Sequence, residues 1–138
     1  MSAANRRRIL ELASGRCEYC RLPESHSPNS FAVDHIQPRS RQGDDEIENL
    51  ALSCPGCNGA KYNKTQAIDP ATDALVPLFH PRNQSWNDHF GWSDDDLRVV
   101  GLTETGRATI AALDLNREGV VNLREVLIPR GLHPPDDN

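Results

Sequence analysis

CEYC at residues 17–20 and CPGC at residues 54–57 decide how this chain folds. The chain has four cysteines, and all of them lie in these two short motifs, with 33 residues between Cys20 and Cys54. A C-x-x-C knuckle turns its two sulfurs toward one point. Two knuckles together supply the four thiolates of a tetrahedral zinc ion. A pair of disulfides would need an oxidising compartment, and nothing in the sequence points to export. A redox-active C-x-x-C would need one pair, not two, in a thioredoxin-like pattern. The expected site is therefore structural zinc on Cys17, Cys20, Cys54 and Cys57. With four protein sulfurs it is closed, so it holds the fold and does no chemistry. It would tie the end of the first helix to a later strand–helix junction.

The composition explains why such a staple is useful. Only 37% of the 138 residues are hydrophobic and 5% aromatic, so the core is thin, and small domains with thin cores depend on metals or disulfides. Around the knuckles the pattern is α+β. AANRRRILELASGRC has Ile9, Leu12 and Ala13 on one helical face and Gly15 as a stop. RLPESHSPNS is a loop, FAVDHI (31–36) a strand, QPRSRQGDDEIEN a polar loop and LALSC (50–54) a second strand. A helix follows from about Cys57.

Within the bracketed segment stands a polar set: Asp34-His35 at a strand end, Asn49 after the loop, Asn58 just past the last cysteine, then Lys61 and Lys64. On its own, Asp-His would read as a surface turn, and Asn58 as a helix cap. Inside the cysteine frame the set reads as chemistry. The string CEYC…VDHIQPRS…ENLALSCPGCNGAK resembles the HNH endonuclease family over roughly residues 10–64, including bacterial members with a C-terminal extension. The resemblance implies a small ββα-metal (His-Me finger) core. The family's three letters fall on His35, Asn49 and Asn58, an H-N-N variant. Asn in the third place makes a poorer ligand for borderline metals and shifts the expectation toward Mg²⁺ or Mn²⁺.

The implied activity is metal-dependent hydrolysis of DNA, expected double-stranded. A histidine changes charge near neutral pH and suits a general base, here His35. Asp34 and Asn58 would hold the divalent metal, and Asn49 would bond backbone across the loop and orient His35. Adjacent strand residues point to opposite sides, so Asp34 and His35 would share one phosphate only if the strand ends at this pair. Arg39, Arg41, Lys61 and Lys64 flank the set as candidate contacts to the DNA backbone, or as plain solvated charges. Arg6, Arg7 and Arg8 read better as a solvated helix face. The rival reading is a zinc-stapled module that binds nucleic acid or protein and catalyses nothing.

Charge agrees with this division. The net charge of −5 disfavours a protein that coats nucleic acid by charge alone. Residues 1–64 carry nine Lys/Arg against eight Asp/Glu, and residues 65–138 six against twelve. The expected domains are a nuclease core, 1–64, and a C-terminal extension, 65–138, packed on it. Residues 65–95 read as an extended Pro- and Asp-rich arm whose aromatics Phe79, Trp86, Phe90 and Trp92 cover the core. LRVVGL then reads as a strand, with a helix capped by Thr103, a second helix stopped by Pro129 and Gly131, and a disordered tail from about His133. His26, His80, His89 and His133 read as surface or packing residues; only His89, set among aromatics, stands out. No run is long enough to span a membrane, no secretory signal is visible, and a cytoplasmic monomer is the assumed state.

Overall fold

A computed structural model describes residues 2–136. Helix α1 (Ala3–Leu12) starts where the Ser2 hydroxyl accepts the Asn5 N–H. It buries Ile9 and stops at Ser14 and Gly15, both at positive φ, with the Gly15 N–H returning to the Leu10 carbonyl. The first knuckle follows, closed by an antiparallel bridge between Arg16 and Pro23. Strands β1 (Ala32–His35) and β2 (Leu50–Ser53) pair antiparallel, with Ala32 opposite Ser53 and His35 opposite Leu50. All four β2 residues are buried. Helix α2 (Pro55–Lys61) begins two residues earlier than the sequence suggests. Cys54 is its N-cap and Pro55 its first residue, where a missing N–H costs nothing.

Residues 65–95 differ from the extended arm expected of them. Strands β3 (Gln66–Ile68) and β4 (Leu75–Pro77) form a hairpin. A helical turn, α3 (Trp86–His89), leads into β5 (Phe90–Trp92), which pairs with β6 (Val99–Gly101). The Pro- and Asp-rich segments are turns. Asp69 accepts the Ala71 N–H and the Thr72 hydroxyl, which closes the first hairpin. Its carboxylate also takes two bonds from Arg107 of helix α4 (Glu104–Leu113), so the hairpin is clamped to that helix. Thr103 caps α4 by accepting the Gly106 N–H. Helix α5 (Glu118–Leu127) ends in a 3-10 turn and a left-handed Gly131.

One hydrophobic cluster joins both halves of the chain. Ile9, Tyr19, Phe31, Leu50 and Leu52 meet Phe79, Trp86, Phe90, Leu113 and Leu127. The Trp86 indole stacks near Phe90 and Trp92, at 5.0 and 5.2 Å between centroids, and donates to the Tyr19 carbonyl. His89 packs on Phe79 and bonds Thr103, so it belongs to this packing. The tail is not disordered at His133. That ring is 3% exposed, sits edge-on to Trp92 and meets the Asp96 carbonyl at 2.7 Å. An aromatic partner and a buried acceptor outweigh the chain-end entropy there. Residues 137–138 of the expected tail lie outside the described residues.

Candidate active site and metal centre

The hairpin, helix α2 and the first knuckle converge on the cysteines. All four sulfurs are buried, and they lie within 4.8 Å of one another. Cys20 and Cys54 sulfurs are 3.7 Å apart. That is far beyond a disulfide bond and close to the separation of about 3.8 Å that a tetrahedral centre with Zn–S bonds of about 2.3 Å requires. The Cys20 and Cys57 N–H groups donate to the Cys17 and Cys54 sulfurs. The donor set therefore fits a structural metal bound by four thiolates.

Two arginines from the C-terminal half support this centre. Arg117 reaches the Cys54 and Cys57 sulfurs at 3.3 and 3.6 Å. It lies over Gly56, where a Cβ would come within 2.4 Å of the guanidinium, so the small residue admits the cation. Burial works against the charge of Arg117, but the sulfurs of Cys57 and Cys54 outweigh it and hold the group protonated. Arg124 is fully buried and donates to the carbonyls of Cys20, Leu97 and Leu115. Burial pushes its pKa down to about 10, which leaves it charged at neutral pH. Neither arginine is marked by the sequence, because each acts from more than 59 residues beyond the last cysteine.

On the other side of α2 lies the polar set. β1 ends at His35, and Asp34 and His35 are both paired with β2, Asp34 buried and His35 half-buried, so as adjacent strand residues they take opposite faces. Asp34 is 5% exposed. Its Oδ2 accepts the Tyr19 hydroxyl at 2.9 Å, and Lys61 Nζ stands 3.2–3.3 Å from its two oxygens. Burial raises the Asp34 carboxyl above its usual range, against the opposing pull of Lys61 and Tyr19. Burial, then the Asp34 charge, keeps the Tyr19 phenol protonated as the donor.

His35 faces the loop. Its Nε2 lies 2.7 Å from Asp45 Oδ1, which also accepts two bonds from Arg39. A carboxylate only accepts, so in the neutral imidazole the proton sits on Nε2 and Nδ1 carries the lone pair. Bonding to His35, then Arg39, holds the Asp45 carboxyl below its usual range. The sequence offers no signal that singles out Asp45 from its acidic neighbours, and none that gives Tyr19 a polar role inside its knuckle.

Asn49 spans the loop. Its Oδ1 accepts the Gln37 N–H, and its Nδ2 donates to the carbonyls of Gln37 and Asp44. The loop closes tightly at Gly43, where a Cβ would stand 1.7 Å from the Gln37 carbonyl oxygen. Gly43→Ala should therefore cost about 1–3 kcal/mol through overpacking and break the Asn49 bonds. Gly59→Ala, where a Cβ meets nothing within 4 Å, should instead be neutral or stabilising. Urea titration of the two variants checks this; equal stabilities would overturn it.

Asn58 is half-buried, one helical turn before Lys61, and its side chain makes no hydrogen bond among the described residues. The Asp34 carboxylate and the Asn58 carboxamide are hard oxygen donors and suit a Mg²⁺-like ion. A carboxylate also has lone pairs to spare beyond two bonds. The Lys61 ammonium already stands on that carboxylate, however. Among the four basic candidates Lys61 is misjudged: it is 1% exposed and also donates to the His35 and Ile36 carbonyls, so it does not reach the surface. Arg39, Arg41 and Lys64 are exposed; Arg41 donates to the Asn63 carbonyl and Lys64 to that of Ala60. Arg6 pairs with Glu24 and the Phe31 carbonyl and is part of the fold.

A two-stranded hairpin and a helix fastened by four cysteines define an α+β core of the ββα-metal class. A family model described as HNH endonuclease matches residues 17–64, the segment that holds the four cysteines positioned to bind a metal. No curated protein and no solved structure matches the chain. No helix among the described residues is long and apolar enough to cross a membrane.

Proposed function

We propose that the HNH domain is a metal-dependent endonuclease that hydrolyses phosphodiester bonds in double-stranded DNA, with zinc on the four cysteines. The observation that carries this reading is the His35–Asp45 contact at 2.7 Å. It presets one imidazole tautomer and leaves Nδ1 as the base for a water proton. Asp45 is the positioning residue, and Asn49 holds the loop that carries it. Asp34 and Asn58 would hold a divalent ion, Mg²⁺ or Mn²⁺, which would supply charge relief at the phosphate. Arg39 and Arg41 on the loop and Lys64 after α2, all exposed, would meet the DNA backbone.

The test is plasmid nicking with each metal in turn. His35→Ala should slow cleavage by about 10²–10⁴-fold, the usual contribution of a general base. Equal cleavage by the variant would remove His35 from the mechanism. Failure of the wild type on every nucleic acid would remove the enzyme reading. One observation favours the rival, a zinc-stapled binding module: Asp34 already pairs with Lys61. That rival requires one metal per chain and no second divalent site. A calorimetric signal for a second ion, lost in Asp34→Ala, excludes it.

A further inference from the structure

A cleft of about 270 Å³ opens where the chain leaves β1, between Ile36 and Gln37, the end of α2 and the turn at 77–84. Its floor is apolar, formed by buried Ile36, Leu78 and Phe79. Its polar lining comes from Gln37, Lys61, Lys64, Thr65, His80, Asn83 and Gln84. No carboxylate lines it, although the chain as a whole carries a net charge of −5. The turn is contributed by the C-terminal half, and the cleft begins one residue after His35.

His80 is built into this turn. Its Nδ1 accepts the N–H groups of Arg82 and Asn83 at 3.3 and 3.2 Å, and its own N–H donates to Gln84 Oε1. A nitrogen that accepts two backbone donors carries no proton, so the proton is on Nε2. Burial lowers the pKa of the ring, which favours this neutral form. Nε2–H makes no hydrogen bond among the described residues, and His80 lines the cleft. A fixed donor, an exposed lysine and an apolar floor together suit a phosphate attached to a small apolar body such as a sugar.

We propose that this cleft holds one sugar-phosphate unit of the DNA strand beside the cleaved bond, with the deoxyribose against the apolar floor and the phosphate between His80 Nε2–H and Lys64. The inference rests on the nuclease reading and gives the C-terminal half a part in substrate binding. A phosphate oxygen accepts from a neutral imidazole N–H and gains from the lysine charge; the carbon face of the sugar gains from an apolar floor.

His80→Asn tests the assignment without dismantling the turn. The Asn carboxamide oxygen can accept the Arg82 and Asn83 N–H groups in place of Nδ1, but nothing replaces Nε2. Binding of a short DNA duplex is measured by fluorescence anisotropy in a His35→Ala background, with thermal melting alongside. His80→Asn and Lys64→Gln should each weaken binding about tenfold, the loss of one charge-assisted hydrogen bond, with melting unchanged. In the ¹⁵N spectrum of the His80 ring, the duplex should shift Nε2. Unchanged affinity in both variants, or an Nε2 signal that ignores the duplex, would overturn the cleft assignment. Continued cleavage by His35→Ala would instead overturn the catalytic role while leaving the cleft assignment standing.

Discussion

Replacing Cys54 by serine should release the metal and unfold residues 17–64, the largest effect of any single substitution in this chain. Cys54 is a sulfur of the cluster, the N-cap of α2, and a partner of Arg117. A structural zinc contributes about 10–16 kcal/mol to the folding of small zinc domains, while whole domains are stable by only about 5–15 kcal/mol. Serine would leave three thiolates and remove one of the two sulfurs that meet Arg117. Chelation of the wild type should reproduce the effect. Metal analysis and far-UV circular dichroism read both. A serine variant that keeps one zinc per chain and melts within a few degrees of the wild type would refute the structural role.

Lys61→Met should destabilise the protein by about 3–5 kcal/mol, the cost of leaving one member of a buried ion pair alone. Asp34 would keep only the Tyr19 hydroxyl, with its carboxylate 5% exposed. The double variant Asp34→Asn with Lys61→Met should recover much of the loss, since no buried charge remains. The pH dependence has a definite sign. Burial already raises the Asp34 pKa, and loss of the lysine raises it further. A carboxyl raised in the folded state binds its proton more readily there than in the unfolded chain. Folding is then favoured below the unfolded value, and that advantage is lost as pH rises through the folded value. The Lys61→Met deficit should therefore shrink as the solution is acidified. Urea titrations across the acidic range measure it, and a deficit under about 1 kcal/mol, or one independent of pH, would refute the buried pair's role.

The cysteine spacing, the two strands around Asp34 and Leu50, and the helix after Cys57 could all be read in advance. Each is a local pattern: knuckle spacing, short apolar runs, turn residues leading into a helix, although the cap at Cys54 sets the helix start two residues earlier. The position of Asn49 beside its loop was legible for the same reason, since Gly43 and Pro38 mark a tight polar turn. The hairpins between residues 66 and 101 were harder. Their turn residues also suit an extended arm; the β3–β4 hairpin is held by the clamp from Asp69 to Arg107, and β6 by Asn116 on the Val99 backbone.

Which atoms meet was not legible, because those contacts are long-range. Lys61 looks like a surface lysine in NGAK, yet it turns inward onto Asp34. His35 finds Asp45, Arg117 and Arg124 find the cysteine cluster, and His80 finds a cleft whose other walls lie before residue 66. The sequence by itself determined the four-cysteine cluster and the ββα segment, because four cysteines at two fixed spacings leave the backbone little choice. Only the tertiary structure decided which face of β1 is buried and which is open. Burying a carboxylate requires a partner, and that partner, like the cations beside the sulfurs, is supplied by a distant part of the chain.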